Sequence, residues 1–499
     1  MVKMGILIST LKVKEGIRVT EPYQENMISG NLVRDEARFR TLFDRCDDIV
    51  FRSFRLGGKQ AALLIFMDGM VDELRVESEI LKPLLSCGQS EEEWENDEWA
   101  WLAYQVLPTE KIAKKMREDQ ATQAVLSGDV LLLVDGVPGS LLIGMYSIIT
   151  RSIEEPESEP VIRGPRDGFT ECLQINITMI RRRLRTTKLK SETFHVGTLS
   201  QTKLSVMYVE GVAQQNLIDE VKTRIKNIHI DVVLESGYIE ELMMDDRYSI
   251  FPQLISTERP DRATAMLAEG RVVILVDNTP FILIAPATSH EMLQAAEDYS
   301  QNFIVVTATR WLRLSLSLIA LIFPSMYIAI TTMHQEMLPT DLLLSIASSR
   351  EAVPFPAIVE AIIIETAFEG LREAGIRLPR QVGQAVSIVG ALVIGQAAVQ
   401  AGLVTSSLVI VVSATGIASF IFPTYNLGLS IRFLRFPLMI IAGILGLYGI
   451  FIFLLALLIH LTKLKSFGVP YLSSISSMNS VGFKDALLRL PWWYRAKGN

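Results

Sequence analysis

The chain has 499 residues, 49% of them hydrophobic, and a formal net charge of −7. Its first 309 residues carry 34 Lys+Arg against 47 Asp+Glu, whereas the remainder carries 14 against 8. An acidic front part excludes the basic footprint of a nucleic-acid binder, and three cysteines without CxxC spacing exclude a fully paired disulfide framework.

The start of the chain has too short an apolar run for a secretory signal, so the front part is expected to stay in the cytosol as a head. Residues 1–34 read as an N-terminal extension. Residues 35–155 read as a first α/β subdomain, with a strand ending at Gly69 and a helical pattern from Val71 to Leu85. The segment Ser90–Leu107 holds Trp94, Trp99 and Trp101, three rings that do not share one helix face. A hairpin is predicted at Asp135-Gly136.

Two landmarks recur at one spacing. Gly69 and Gly211 close similar strands 142 positions apart, and Gly128 and Gly270 open similar hairpins 142 positions apart. Asp135 thereby aligns with Asp277 and Pro138 with Pro280, which points to two related subdomains. Pro-rich residues 154–165 mark the boundary between them. Residues 156–300 are read as a linker helix and the second α/β subdomain, with another helix from Gln215 to Ile228 and a hairpin at Asp277-Asn278. The linker helix is expected to be capped near Asp167 and to end in Arg181, Arg182, Arg183 and Arg185. Together with Arg163 these arginines are candidates for coupling the subdomains, or for clamping acidic partners or lipid headgroups. The alternative is a solvated basic helix end.

Residues 305–475 read as a membrane domain and 476–499 as a tail. Leu312–Thr332 is long enough to cross a bilayer core, and Pro324 is expected to kink it. Gln381–Gly402 and Val404–Tyr425 are predicted as two further spans, and Phe436–Leu461 is a long apolar run with Gly443, Gly446 and Gly449. A single span there would put Lys463, Lys465 and the tail on the side away from the head. Between the first two spans, Pro354–Pro379 carries Glu360, Glu365, Glu369 and Glu373. Arg372 and Arg377 can pair with Glu369 and Glu373. That leaves Glu360 and Glu365 without evident local partners, and they are candidates, with Pro324, for a pore or gate. The other reading is an interfacial helix held by salt bridges. The fold class is thus an α/β cytosolic head of two related subdomains followed by a C-terminal α-helical multi-pass membrane bundle. No P-loop, GxGxxG, HExxH or GxSxG occurs, and the five histidines have no ligand spacing, so neither an enzyme nor a cofactor is expected.

The stretches "RSIEEPESEPVIRGPRDGFTECLQINITMIRRRLR", "MHQEMLPTDLLLSIASSREAVPFPAIVEAIIIE" and "LREAGIRLPRQVGQAVSIVGALVIGQAAVQAG" carry a resemblance. The chain resembles the A subunit of bacterial spore germinant receptors, the GerA family. That resemblance implies a spore inner-membrane protein with a transporter-like B subunit and a lipoprotein C subunit as partners. It implies self-association into a homo-oligomer that conducts ions when nutrients bind, among membrane lipids and without nucleic acid. A paralogue acting with the dipicolinate-release channel, or a secondary transporter, are the alternatives.

Overall fold

The computed structural model describes residues 27–87, 98–109, 111–146, 155–156, 158–377, 393, 395–473, 488–491 and 493. Residues 1–26, Trp94, most of the predicted span Gln381–Gly402 and most of the 476–499 tail lie outside the described residues. The chain divides into two units, one comprising Met1–Leu42 with Ile49–Ser147, the other Phe43–Asp48 with Ile148–Asn499.

In the first unit, α1 (Leu32–Leu42) precedes β1 (Ile49–Leu56), β2 (Gln60–Met67) and a helical run over 73–86. Then follow β3 (Ile112–Lys115), α2 (Glu118–Val125), β4 (Val130–Val134) and β5 (Ser140–Ile143). The sheet order is β1-β2-β4-β5-β3, antiparallel throughout. β2 and β4 are nearly continuous apolar runs because they are inner strands, buried on both faces. Trp99 is buried with its indole N–H donated to the Pro138 carbonyl at 3.0 Å, and Trp101 is half-buried. These rings are core, not a ligand box.

The second unit begins with the same plan. It contains α3 (Leu173–Arg183), β6 (Leu189–Val196), β7 (Thr202–Val209), α4 (Gln215–Lys226), α5 (Ser236–Met243), β8 (Ile255–Thr257), α6 (Pro260–Ala268), β9 (Val272–Val276) and β10 (Ile282–Ala285). Its sheet order, β6-β7-β9-β10-β8, repeats that of the first sheet. The likeness extends to single hydrogen bonds. Asp135 Oδ1 accepts from the Leu32 amide and Asp277 Oδ1 from the Leu173 amide, each at 3.1 Å. Gly136 and Asn278, at φ 83° and 69°, fill equivalent left-handed positions. Both predicted hairpins form, but their connections are wider than two-residue turns, because each aspartate reaches out to the first turn of a helix.

One expectation is corrected here. The linker helix starts at Leu173, not near Asp167. Asn176 bonds the Thr170 amide and carbonyl and Asp277 takes the Leu173 amide, so the residues before Leu173 are held as a loop. The predicted boundary segment is tied to α6 and its N-cap. Arg259 donates to the Glu159 and Pro165 carbonyls, and Arg262 pairs with the Glu159 carboxylate.

The helical part follows: α7 (Phe303–Thr332), α8 (Thr340–Arg350), α9 (Ala357–Arg377), α10 (Ser406–Ala418) and α11 (Tyr425–Lys463). Among the described residues, α7 and α11 are long and apolar enough to cross a membrane. α7 remains helical through Pro324. The predicted span Val404–Tyr425 is shortened to α10 and one 3-10 turn, Ser419–Ile421, before Phe422 and Pro423. That stretch reaches only about 24 Å at helical rise, less than a hydrocarbon core of about 30 Å.

The long apolar run is not a single span. α11 breaks at Gly446 (φ 60°, ψ −143°) into two arms that fold back on each other. At one end Ser430 Oγ donates to the Ile250 carbonyl, and at the other His460 Nε2 lies 2.9 Å from Ser249 Oγ. Both ends of the hairpin therefore meet the same loop of the second sheet domain. The chain then runs into a small hairpin, β11 (Lys465–Ser466) with β12 (Val469–Pro470). Ser466 Oγ accepts from the Ala287 amide and donates to the Gln253 carbonyl, and the Phe467 amide donates to Asp245. Tyr471 packs in the core of the same domain, and Trp493 stacks edge-on against Phe303 at the base of α7. Lys463, Lys465 and the described tail residues thus lie on the sheet-domain side.

Gly446 occupies a backbone region open essentially to glycine alone, and a Cβ there would come within 2.5 Å of His334 Cε1. Gly446→Ala should lower the stability of the detergent-solubilised protein by about 1–3 kcal/mol from backbone strain alone. Gly416, mid-helix with nothing within 4 Å of its added Cβ, is the control, and Gly416→Ala should not destabilise. Thermal unfolding of the two variants beside the parent checks both.

Candidate functional site

Three of the four carboxylates of α9, Glu360, Glu365 and Glu369, meet other elements at successive depths. Helical steps of four residues advance only about 40°, so Glu365, Glu369 and Glu373 share a stripe. α9 runs antiparallel to the first arm of α11: Ile358 lies against Gly443, Glu365 against Arg435 and Glu369 against Arg432. Exposure rises along the stripe, from 1% at Glu365 to 26% and 61% for the Glu369 and Glu373 side chains.

At the deepest level, Glu365 pairs with Arg435, both all but inaccessible. Arg435 Nε also donates to the Ala320 carbonyl of α7 at 2.9 Å. Ala320 lies four residues before Pro324, and proline has no N–H, so this carbonyl has lost its helical donor. Pro324 thereby creates the acceptor that Arg435 fills. One guanidinium joins α7, α9 and α11. Arg435 Nη2 and Glu365 Oε2 are buried without a hydrogen-bond partner among the described residues. The cluster is closed and neutral in charge, with unused hydrogen-bonding capacity.

Glu360 sits near the other end of α9. Its Oε2 accepts from the Thr405 amide at 3.1 Å, and Arg350 Nη2 lies 3.3 Å from its Oε1. Glu360 and Glu365, which have no local partners along α9, thus each meet a partner from another element. Their partners come from α8, α11 and the α10 cap, 10 to 70 positions away, beyond any local i+3 or i+4 rule. The expected local pairs do form, Arg372 with Glu369 at 3.5 Å and Arg377 with Glu373 at 2.6 Å. Arg432 also reaches Glu369, at 3.2 Å.

The base of α7 is fixed by another buried group. Arg313 makes two hydrogen bonds to Asp298, at 3.0 and 3.2 Å, and Arg310 adds one at 3.2 Å. Arg313 also donates to the Leu293 carbonyl at 2.6 Å. No local spacing marks this arrangement, since Asp298 lies 12 and 15 positions before the two arginines. Beside the start of α11, Glu159, Glu235 and Glu240 line a cavity of about 350 Å³ with Tyr425 and Asn426. Burial, then the neighbouring Glu235, push the Glu240 carboxyl up to about 7.

The coupling arginines separate by position. Arg181 is buried, donating to Asp48 at 2.7 and 2.8 Å and to the Leu189 carbonyl at 2.7 Å. Burial opposes its charge, but Asp48 more than compensates, and its pKa is raised. Arg183 pairs with Asp167 and donates to the Met179 carbonyl. The expected clamp on an outside partner is thus turned inward at both residues. Arg181 thus ties the helix end to the first residue of β6 and to the 44–48 segment, whose backbone also bonds Ser191. Arg163 is exposed and Arg182 half-buried, so these two remain at the surface.

A family model described as Bacillus/Clostridium GerA spore germination protein matches residues 37–498. The chain is 44% identical over 482 residues to the uncharacterized membrane protein YfkQ of Bacillus subtilis (strain 168), covering 97% of this chain and 93% of that one. It is 42% identical over 469 residues to spore germination protein KA of the same organism, covering 94% and 86%. Among solved structures, the N-terminal domain of the A subunit of the Bacillus megaterium spore germinant receptor GerK3 is 29% identical. That match has a TM-score of 0.42 and covers 53% of this chain and 98% of that one.

Proposed function

Because this chain belongs to the GerA family of Bacillus/Clostridium spore germination proteins, we propose that it is the A-type subunit of a germinant receptor of the spore inner membrane, which couples a nutrient signal to ion release. In this reading the sheet domains stay in the cytosol, and the helices from α7 onward form a multi-pass bundle. The protein self-associates and works with a transporter-like B subunit and a lipoprotein C subunit. The length and apolar composition of α7 and of the α11 run favour such a role, and the return of the hairpin to the sheet domain supports one side for head and tail.

The observation that carries the ion-conduction reading is the Glu365–Arg435 pair seated on the carbonyl freed by Pro324. A buried pair that spans three helices through one guanidinium is a discrete contact that a helix movement either keeps or breaks. Kept, it presents no free carboxylate. Broken, it exposes Glu365 to a path between helices, where a ring from several subunits favours cations. Glu360 with Arg350 is the second such contact. Pro324→Ala restores an N–H for Ala320 and competes with Arg435, so it should shift the germinant threshold at unchanged protein level.

The test is reconstitution of this chain with and without its partner subunits in liposomes, with cation efflux read on nutrient addition. Efflux that needs this chain, and that falls in Glu365→Gln with assembly intact, supports the reading. Nutrient-triggered efflux equal with and without this chain overturns it.

A further inference from the structure

At the sheet-domain end of the bundle two arginines share one acid. Arg372 on α9 and Arg432 on α11 both reach Glu369, at 3.5 and 3.2 Å. The arginine side chains are only 18% and 11% exposed, so the cluster is largely withdrawn from water while carrying one net positive charge. Among the described residues, their remaining protein bonds go to neutral acceptors: Arg372 to Ser419 Oγ at 2.7 Å and to the Gly416 carbonyl, Arg432 to the Gly428 carbonyl. The next charged groups on α9, Glu373 and Arg377, pair with each other and cancel. A guanidinium in so dry a place is costly unless an anion meets it.

The surroundings indicate where that anion comes from. Arg372 lies over the Phe420 ring at 4.7 Å and Arg432 over Tyr425 at 5.9 Å. Those rings are 75% and 54% exposed, and Phe433, next to Arg432 in the chain, is 67% exposed. Aromatic rings with apolar bodies turned outward, next to arginines, are the composition of a membrane–water interface. The depth agrees: Thr424 Oγ1 donates to the Met292 carbonyl and Ser430 to the Ile250 carbonyl, so Arg432 lies within a turn of the sheet-domain contact.

We propose that Arg372 and Arg432 form a binding site for the phosphate of an anionic phospholipid in the leaflet on the sheet-domain side, with Phe420 and Tyr425 against its glycerol and acyl carbons. The phosphate oxygens take guanidinium N–H groups not used on Glu369, and the site becomes neutral. This rests on the reading that the helices span the bilayer. The site would make the position of α9 against α11 depend on lipid charge.

The full-length protein is purified in detergent, exchanged with phosphatidylglycerol or phosphatidylcholine, and its retained lipid read by native mass spectrometry. The parent should retain phosphatidylglycerol preferentially. Arg432→Gln should reduce that preference by about fivefold, the effect of one basic residue near an anionic surface. Glu369→Gln should increase it, because the net charge of the cluster doubles. An equal volume of buffer with excess inorganic phosphate is the competing arm. Displacement of the lipid by free phosphate would assign the site to a soluble anion and overturn the lipid proposal. Equal retention of both lipids by the parent, or unchanged preference in both variants, would also overturn it. Carbonate-resistant membrane fractionation of the same protein tests the bilayer reading separately. The two opposite shifts guard against misfolding, since a folding defect does not raise lipid selectivity.

Discussion

Arg435→Met should destabilise the helical part by about 3–5 kcal/mol, the usual cost of removing one partner from a buried ion pair. The substitution leaves Glu365 charged in a dry site and takes the donor from the Ala320 carbonyl. Glu365→Leu should be similarly costly, because it strands the guanidinium. The double variant should recover most of the loss. Two apolar side chains of similar volume pack without desolvating charge, and often match the pair they replace. Thermal unfolding of the four proteins in one detergent gives the cycle. Function should separate from stability here: the double variant should fold yet fail to respond to germinant, since nothing remains to switch. A double variant as unstable as either single one would show that the pair is not the unit of stability. One that germinates normally would remove the ion pair from gating.

The second large effect belongs to the sheet domain. Arg181→Met should cost about 3–5 kcal/mol, since Asp48 is then left charged at 4% exposure with two hydrogen bonds lost. The Leu189 carbonyl loses a donor as well. Arg182→Glu, half-buried at the same helix end, should change stability by less than about 1 kcal/mol. Chemical denaturation of the purified protein, followed by far-ultraviolet circular dichroism, ranks the two. If Arg182→Glu proves the more damaging, the helix end is held by its surface and not by Asp48. Assembly with partner subunits gives the reverse test: Arg182→Glu and Arg163→Glu should affect it while the fold stays intact.

Much of the architecture was legible in the chain itself. The 142-residue spacing was readable because corresponding strands of the two sheets carry the same glycines and aspartates, and these recur where the backbone needs a left-handed residue or a helix needs a side-chain acceptor. Asp135 and Asp277 each serve the first amide of a helix 103 to 104 positions earlier, a role no local pattern reveals. The apolar runs of α7 and α11 were equally plain, since hydropathy is a sum over neighbours. Their geometry was not. A positive φ at Gly446 turns one apparent span into a hairpin, yet on composition alone it reads like Gly443 or Gly449.

The carboxylates of α9 mark the same boundary. The sequence by itself determined that four glutamates occupy one apolar helix and that two have arginines at i+3 and i+4, because helix geometry is periodic. Pro324 likewise declared an orphaned carbonyl four residues back. Only the tertiary structure decided that Arg435 fills that carbonyl and neutralises Glu365, that Arg350 meets Glu360, and that Arg181 turns inward to Asp48. Each of these pairs joins residues on different elements. Which charge meets which then depends on how helices pack and where a chain reverses, and that is set by the whole buried interface and not by any local spacing.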